Sequence, residues 1–462
     1  MAIIKNKSKQ SFETLNHKKI KKIKHIYLPS RFFAVFGSIA FLLAFGFAFP
    51  LLFPFAQVVL LIAVILFFID TTILFSVEKT ITGKRIVPHV FSLGDDNEVK
   101  LHLNNNSRIK LKVTIIDELP FQFQKRDFEM QAEIEAGGKH ELNYMLNPKS
   151  RGIYGFGGIR VFLRTKLGLS EIRKTIEQNE DISVYPSLIQ MKKYELRSIE
   201  KISKQYGIKK LRRIGHSYEF EQIKNYVQGD DFRSVNWKAT GRKGELMLNQ
   251  YEDEKSQQVF CILDNSRVMK MPFKGLSLFD YAVNASLVIS NIALQKHDKT
   301  GLIAFSDTLE TYIKPDRGGK QMKMILNALY NQKEKVLEAN YELLYHAVRN
   351  HITNRSLLML FTNFESSYMM ERVLHVLRKL NKLHLLVVIF FENTEIADFS
   401  KEEAKTVEGI YYKTTAEKSI ADKQQIINQL RQLGIQVVYT RPEDLSINTI
   451  NKYLELKSRG LI

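Results

Sequence analysis

Two apolar blocks, Phe32 to Phe49 and Phe55 to Phe75, constrain this chain more than any other feature of its sequence. Each is close to the roughly twenty residues that an α-helix needs to cross a hydrocarbon core. Lipid offers the backbone no hydrogen-bond partners, so a helix is the form such a block adopts there. The connection Pro50-Leu51-Leu52-Phe53-Pro54 is short and carries no charge. Residues 32–76 are therefore predicted to form a tight transmembrane hairpin whose two ends emerge on the same side. A signal peptide is not expected, since a small-residue cleavage site would follow its apolar region, not a second span.

Charge gives the hairpin a direction. Segment 1–31 holds Lys5, Lys7, Lys9, Lys18, Lys19, Lys21, Lys22, Lys24 and Arg31 against Glu13 alone, in a chain of formal net charge +19. Lys79, Lys84 and Arg85 follow the second block. Positive flanks stay in the cytoplasm, so the expected location is the cell membrane, multi-pass, with the soluble bulk on the cytoplasmic face. The lipid bilayer is then the first expected partner. Nucleic acid is not expected, because no recognition motif or interleaved basic and aromatic pattern accompanies the lysines. Asp70, beside Thr71, Thr72 and Ser76, reads as an interfacial residue reaching water. A single cysteine, Cys261, rules out an internal disulfide.

Between about 78 and 187 the pattern changes to short alternating runs, including Val99–Leu103, Lys110–Ile115, Lys139–Tyr144 and Ile159–Leu163. They are separated by breakers such as Gly94-Asp95-Asp96-Asn97 and Gly137-Gly138. Period two with turns between is the mark of a β-sandwich. Residues 188–214 are polar and basic and read as a solvated linker leading into a core motif that ends near 254.

That motif begins at Gly215-His216-Ser217-Tyr218 and holds the only tryptophan, Trp237. Gly229 followed by Asp230 and Asp231 is turn chemistry, and Trp237 is expected to pack residues 215–254 onto the following sheet. The run Gln258–Leu263 is apolar, rich in β-formers and stops at Asp264, as a buried parallel strand does at a sheet's carboxyl edge. Ligands of open α/β sheets bind at that edge. Asp264 and Ser266 are hard oxygen groups that suit either a divalent cation or the cap of the next helix. Cys261, inside the apolar run, reads as a small core residue. Beyond Asp264, helices and strands alternate: helix 276–294, strand 300–305, helix 321–330, strand 356–361, helix 369–380, strand 384–391, helix 423–433 and strand 435–439. This is the layout of a doubly wound α/β sheet over 255–462.

The motif Tyr226-x-x-Gly229-Asp230-Asp231-x-Arg233-x-x-x-Trp237-Lys238, followed by Gly244-Glu245-Leu246-Met247 and the acidic Tyr251-Glu252-Asp253-Glu254, resembles domain of unknown function family 58 (DUF58). The resemblance extends from about residue 30 onward. It implies a von Willebrand factor A-like fold and a MoxR-type AAA+ ATPase as partner. It marks Tyr226, Gly229, Asp230, Asp231, Arg233, Trp237 and Lys238 as a partner-binding or family core motif. In metal-binding relatives of that fold the first loop reads Asp-x-Ser-x-Ser, a second loop gives a Thr and a later strand ends in Asp. Here Asp264 and Ser266 match, Val268 replaces the second Ser, no Thr can be assigned around Arg317-Gly318-Gly319-Lys320, and the later strand ends Thr362-Asn363. One carboxylate is a poor set for a hard cation, so Mg²⁺ is expected to bind weakly or not at all; no other cofactor is expected. With no P-loop, zinc spacing or nucleophile elbow, and with His216 reading as structural, the expectation is a membrane-anchored, non-enzymatic adaptor that helps assemble or remodel a client protein. The alternatives are a hydrolase or transferase using residues 215–238, or a passive scaffold.

Overall fold

The computed structural model describes residues 26–49, 52–125, 128–193, 219–227, 230, 232–252, 256–403 and 406–461. The basic segment before residue 26, most of the 188–214 linker, His216, Ser217, Gly229 and Asp231 lie outside the described residues. The chain divides into two units, Met1–Tyr185 and Pro186–Ile462.

In the first unit the apolar blocks form two helices, α1 (Ser30–Ala48) and α2 (Leu52–Glu78), both long and apolar enough to cross a membrane. They pack as a hairpin with Phe32 against Phe67 at 5.2 Å between ring centroids. Most of their apolar side chains point outward, among them Phe41, Phe47, Phe55 and Leu61, as expected of helices solvated by lipid. At 27 residues against 19, α2 continues well past the start of α1.

Among the described residues, eleven strands build the β-sandwich of this unit. Strands β1 (Ile26–Tyr27), β10 (Glu171–Ile176), β9 (Ile159–Arg164), β5 (Leu111–Asp117) and β6 (Glu129–Ile134) form one antiparallel sheet in that order. Strands β2 (Ile81–Ile86), β4 (Asn97–Asn105) and β7 (Lys139–Leu146) form a second sheet, and β3 (Val90–Ser92), β11 (Glu180–Tyr185) and β8 (Gly152–Phe156) a third. Along β4, buried and half-buried residues alternate without a break, which is the expected period of two. Gly94 and Gly137 take the positive φ values, 74° and 67°, that their turns require.

Two sequence expectations change here. Asp70 does not reach water. It is fully buried on α2, where it accepts hydrogen bonds from the Thr165 hydroxyl, the Leu169 and Ser170 amides (3.0 and 2.9 Å) and the Ser170 hydroxyl (3.2 Å). Donors from the β9–β10 loop replace its hydration. Arg85, read as a flanking charge, is buried inside the sandwich. Its guanidinium forks onto Asp117, donates to the Gln178 and Gly157 carbonyls (both 3.0 Å) and lies over the Phe156 ring. The Tyr144 hydroxyl donates to the same carboxylate, and burial together with that charge pushes the phenol far above its ordinary value.

The second unit is built on a six-stranded sheet ordered β18 (Leu309–Asp316), β17 (Lys299–Phe305), β14 (Gln258–Asp264), β19 (Leu357–Phe361), β20 (Leu385–Phe391) and β21 (Gln436–Thr440). All neighbours are parallel except the edge strand β18, which runs antiparallel to β17. Along β14, Val259, Cys261 and Leu263 join one core cluster with α4 (Leu278–Gln295), α5 (Gly319–Asn331) and α10 (Leu445–Ser458). Phe260 and Ile262 join the other with α6 (Tyr341–His351), α7 (Ser367–Leu383) and α9 (Val407–Gln432). Both faces are covered, which is why this strand reads as a continuous apolar run. Gly301 on β17 permits the packing, since a Cβ there would meet the Phe260 ring at 2.6 Å and the Ile313 carbonyl at 2.8 Å. A two-residue hairpin, β15 (Pro272–Phe273) with β16 (Leu276–Ser277), leads into α4, and a short helix α8 (Thr394–Phe399) follows β20. The expected doubly wound sheet is present, and the elements the sequence reading did not contain include α6, α8, α10 and β18.

The buried Arg85–Asp117 pair yields a prediction. Removing one partner strands the other charge without water, so Asp117→Ala is expected to destabilise the sandwich by about 3–5 kcal/mol. Urea unfolding followed by amide hydrogen exchange of residues 81–185 in the solubilised full chain measures this. A loss below about 1 kcal/mol would mean that Arg85 finds water or another acceptor.

Candidate functional site

The order of strands places the topological switch between β14 and β19. From β14 the chain passes to β17 on one side, and β19 is later laid on the other, so the loops after these two strands diverge at the carboxyl edge. Open α/β sheets bind ligands at such a crevice. Asp264 ends β14, and Thr362-Asn363 follow β19.

Asp264 is fully buried there and its carboxylate is satisfied from inside the protein. The Ser266 amide donates to Oδ1 at 2.9 Å, and the Thr362 hydroxyl donates to Oδ2 at 2.7 Å. The Tyr341 hydroxyl, from the first residue of α6, lies 3.2 Å from the same Oδ2 and 2.7 Å from Thr362 Oγ1. Asn340 aims that helix, its side chain capping the Leu343 amide at 3.1 Å. Burial raises the Asp264 carboxyl above its ordinary value, opposed by the hydrogen bonds from Ser266, Thr362 and Tyr341. Burial, followed by the neighbouring carboxylate, raises the Tyr341 phenol well above its own.

The capping role expected of Ser266 is not taken. It precedes the short turn Arg267–Met269, but its hydroxyl makes no capping bond and is buried without a hydrogen-bond partner. Val268 packs into the apolar cluster beside α4. The side-chain oxygen of Asn363, which stands where metal-binding relatives carry Asp, accepts from the Lys423 ammonium of α9 at 3.2 Å. Lys423 also donates to the Phe364 carbonyl and lies 5.7 Å from the Phe390 ring centre. Desolvation lowers its amine to about 8, opposed by Glu365. This set of groups does not fit a hard divalent cation. It offers one carboxylate whose oxygens already face three donors, one hydroxyl, and an amide oxygen that faces a fixed cation; such an ion takes six or more oxygens, with at least one carboxylate free to face it. No group of three or more His, Cys, Asp or Glu that could hold a metal occurs among the described residues.

Two clefts open at this edge. One, of about 300 Å³, has Asp264, Ser266, Tyr341 and Asn363 among its lining, with Met369 and Val373 of α7 as an apolar wall. The polar groups of its rim are already paired, Arg372 with Glu338 at 3.7 Å and His375 with Glu342 at 2.7 Å. The other, of about 220 Å³, is lined by Lys423, Glu365, Glu392 and Glu395, and Asn363 borders both. Cys261 lies in the core beneath, its thiol pushed up to about 12 by burial, in keeping with a packing residue.

The core motif occupies a separate module, the antiparallel pair β12 (Glu219–Asn225) and β13 (Met247–Glu252) with the short helix α3 (Trp237–Lys243) between them. None of its described motif residues lines the Asp264 cleft. Asp230 closes the turn after β12, accepting from the Val227 amide and the Lys224 ammonium at 3.1 and 3.0 Å. Asn236 caps α3 through the Ala239 amide at 3.0 Å and reaches Asn249 at 2.8 Å. Gly244 ends α3 with φ 75°. Val235, Met247 and Leu248 form the buried floor. Trp237 is not part of that floor, contrary to expectation: it is 65% exposed. It stands edge-on to Phe232 at 6.0 Å, and Phe232 edge-on to Tyr226 at 6.2 Å, with Arg233 and Lys238 exposed beside them. The reason is length: a seven-residue helix held by its caps on a two-stranded pair buries none of its residues, and only Ala239 and Thr240 are half-buried.

Sequence reasoning missed Tyr341, Lys423 and Asn236. Asn before the periodic run of α6, and again before α3, is the signal that was available; Lys423 had none.

Lys423 generates a prediction. Below pH about 8 its amine is charged folded and unfolded alike, whereas between about 8 and 10.5 only the unfolded chain holds the proton, so stability rises with pH across that window. Replacing it, Lys423→Met, is expected to remove this rise, roughly 3 kcal/mol at the upper end. Urea unfolding of both proteins from pH 7 to 10.5 checks it; parallel curves would place the amine in water.

Residues 222–399 match the family described as "Protein of unknown function DUF58". The "Uncharacterized protein YeaD" of Bacillus subtilis (strain 168) is 28% identical over 123 residues, which is 27% of this chain and 30% of that protein. Among solved structures, the second unit is similar to the SpRpn10 VWA domain (TM-score 0.27, 11% identity, 42% of this chain and 93% of that one). A second similarity is to the ASH / PapD-like domain of human CEP192 (TM-score 0.17, 14% identity, 23% and 84%). The stretch that matches the DUF58 family, residues 222–399, contains the whole motif from Tyr226 to Lys238.

Proposed function

We propose that this protein is a membrane-anchored, non-enzymatic adaptor whose von Willebrand A-like unit docks a MoxR-type AAA+ ATPase at the cytoplasmic face, where the two assemble or remodel client proteins. One observation carries the reading: the family motif holds Phe232 and Trp237 out in solvent beside Arg233 and Lys238. Exposed aromatics rimmed by cations have the composition of a protein-binding hot spot. The partner's identity comes from the family resemblance. Anchoring is supported by the outward apolar faces of α1 and α2, and the cytoplasmic face by the basic flank.

The reading as a hydrolase or transferase has less support. In the described part of the motif, Asp230 and Asn236 are spent on a turn and a helix cap, which suits a recognition module more than a reaction centre. The internal satisfaction of Asp264 likewise favours contact without a bridging metal.

The test is binding of the purified ATPase to the full chain in lipid nanodiscs, by isothermal titration with and without EDTA. Trp237→Ala is expected to weaken binding about tenfold or more while changing folding stability by less than about 1 kcal/mol. Wild-type binding is expected to ignore the chelator. A stability loss of about 3–5 kcal/mol would return Trp237 to a core role. Unchanged binding would remove the motif from the interface, and release by EDTA would restore a metal at Asp264.

A further inference from the structure

The grip of α2 on the β9–β10 loop has a consequence for the sandwich. Counting from the hairpin turn, Asp70 lies at the level where α1 begins, and the Phe32–Phe67 contact one turn deeper confirms the alignment. If α1 spans the hydrocarbon, Asp70 is at its boundary, and so is whatever it holds. It holds residues 165–170, through Thr165, Leu169 and Ser170. The Arg31 side chain, in the first turn of α1, lies 3.5 Å from the position of a Cβ on Gly168. Strand β1 brings the adjoining chain to the same place, Tyr27 opposite Glu171 and Ile26 opposite Ile172.

The chemistry displayed at that level is unusual for a loop in water. Leu167 stands out at the tip, 46% exposed, with Leu28 and Tyr27 also exposed. Lys166 and Arg31 are exposed between them. Apolar tips flanked by cations, with a tyrosine at the same depth, are the composition of protein segments that lie in a bilayer interface.

We propose that the β9–β10 loop of the sandwich is a lipid-binding surface, with Leu167 entering the acyl boundary and Lys166 and Arg31 resting on phospholipid phosphates. The carboxylate of Asp70 locks the loop at that depth, so the sandwich is seated on the bilayer and not tethered above it. This rests on the reading of α1 and α2 as membrane spans.

Single cysteines placed in the full chain and labelled with an environment-sensitive fluorophore test it in nanodiscs; Cys261, buried, stays unlabelled in the folded protein. The probes are Leu167→Cys, Leu61→Cys in mid α2, and Phe121→Cys. Phe121 follows the opposite end of β5, where Asp117 pairs with Ile159 at the far end of β9. The expected result is strong quenching at 167 by lipids spin-labelled near the headgroup, with several-fold less quenching by aqueous iodide than at 121. Lys166→Glu is expected to reduce the lipid quenching at 167 in discs containing phosphatidylglycerol; an unchanged value would overturn the phosphate contact. If 61 is quenched by lipids labelled deep in the acyl chain while 167 is as open to iodide as 121, this inference fails and the spans stand. If 61 is not quenched by those lipids, the spans and the inference both fail.

Discussion

A carboxylate that loses its water must find donors inside the protein, and the second unit is arranged around that demand at Asp264. The residue ends the central strand of a sheet covered on both faces, so solvent does not reach it. Its donors come from three places in the chain: Ser266 in its own loop, Thr362 at the end of β19, and Tyr341 at the start of α6. The bonds tie the two diverging loops of the switch point to each other and to the helix that crosses above them. Removing such a partner would cost more than the bond itself is worth, because the remaining charge would be left without solvation.

The same solution recurs in the first unit. Asp117 collects Arg85 and Tyr144 from other strands, and Asp70 collects the β9–β10 loop onto a helix. In each case a charge costly to bury becomes a specific link between elements distant in sequence, at the position where apolar packing alone would leave the relative placement loose. Polar groups fully satisfied in this way also specify geometry, because few other arrangements supply the same donors.

What this internal satisfaction leaves open defines the candidate surfaces. At the sheet edge the carboxylate is engaged, while the Ser266 hydroxyl remains buried without a hydrogen-bond partner beside a cleft. In the motif module the polar side chains are used up in closing the turn and capping α3, and the aromatics are turned outward. The spacing of that motif thus combines two demands: Asp230, Asn236 and Gly244 make a small fold possible, and Phe232, Trp237 and Lys238 are what that fold presents.

Periodicity and length determined much of this by themselves. Two apolar blocks around an uncharged turn can only pair as helices, alternation of period two made the sandwich legible, and a continuous apolar run ending in Asp placed β14 and the sheet's carboxyl edge. These patterns record which surface each element must bury, a local property that residues carry in their order. The partners of buried charges are not local. Arg85 looked like a membrane flank and Asp70 like an interfacial residue, and Lys423 carried no signal, because nothing in their own neighbourhoods shows that a carboxylate, a loop or an amide from far along the chain will meet them. Trp237 failed in the opposite direction: its size suggested a core, and only the tertiary structure decided that a seven-residue helix on a two-stranded pair buries none of its residues and leaves the indole exposed.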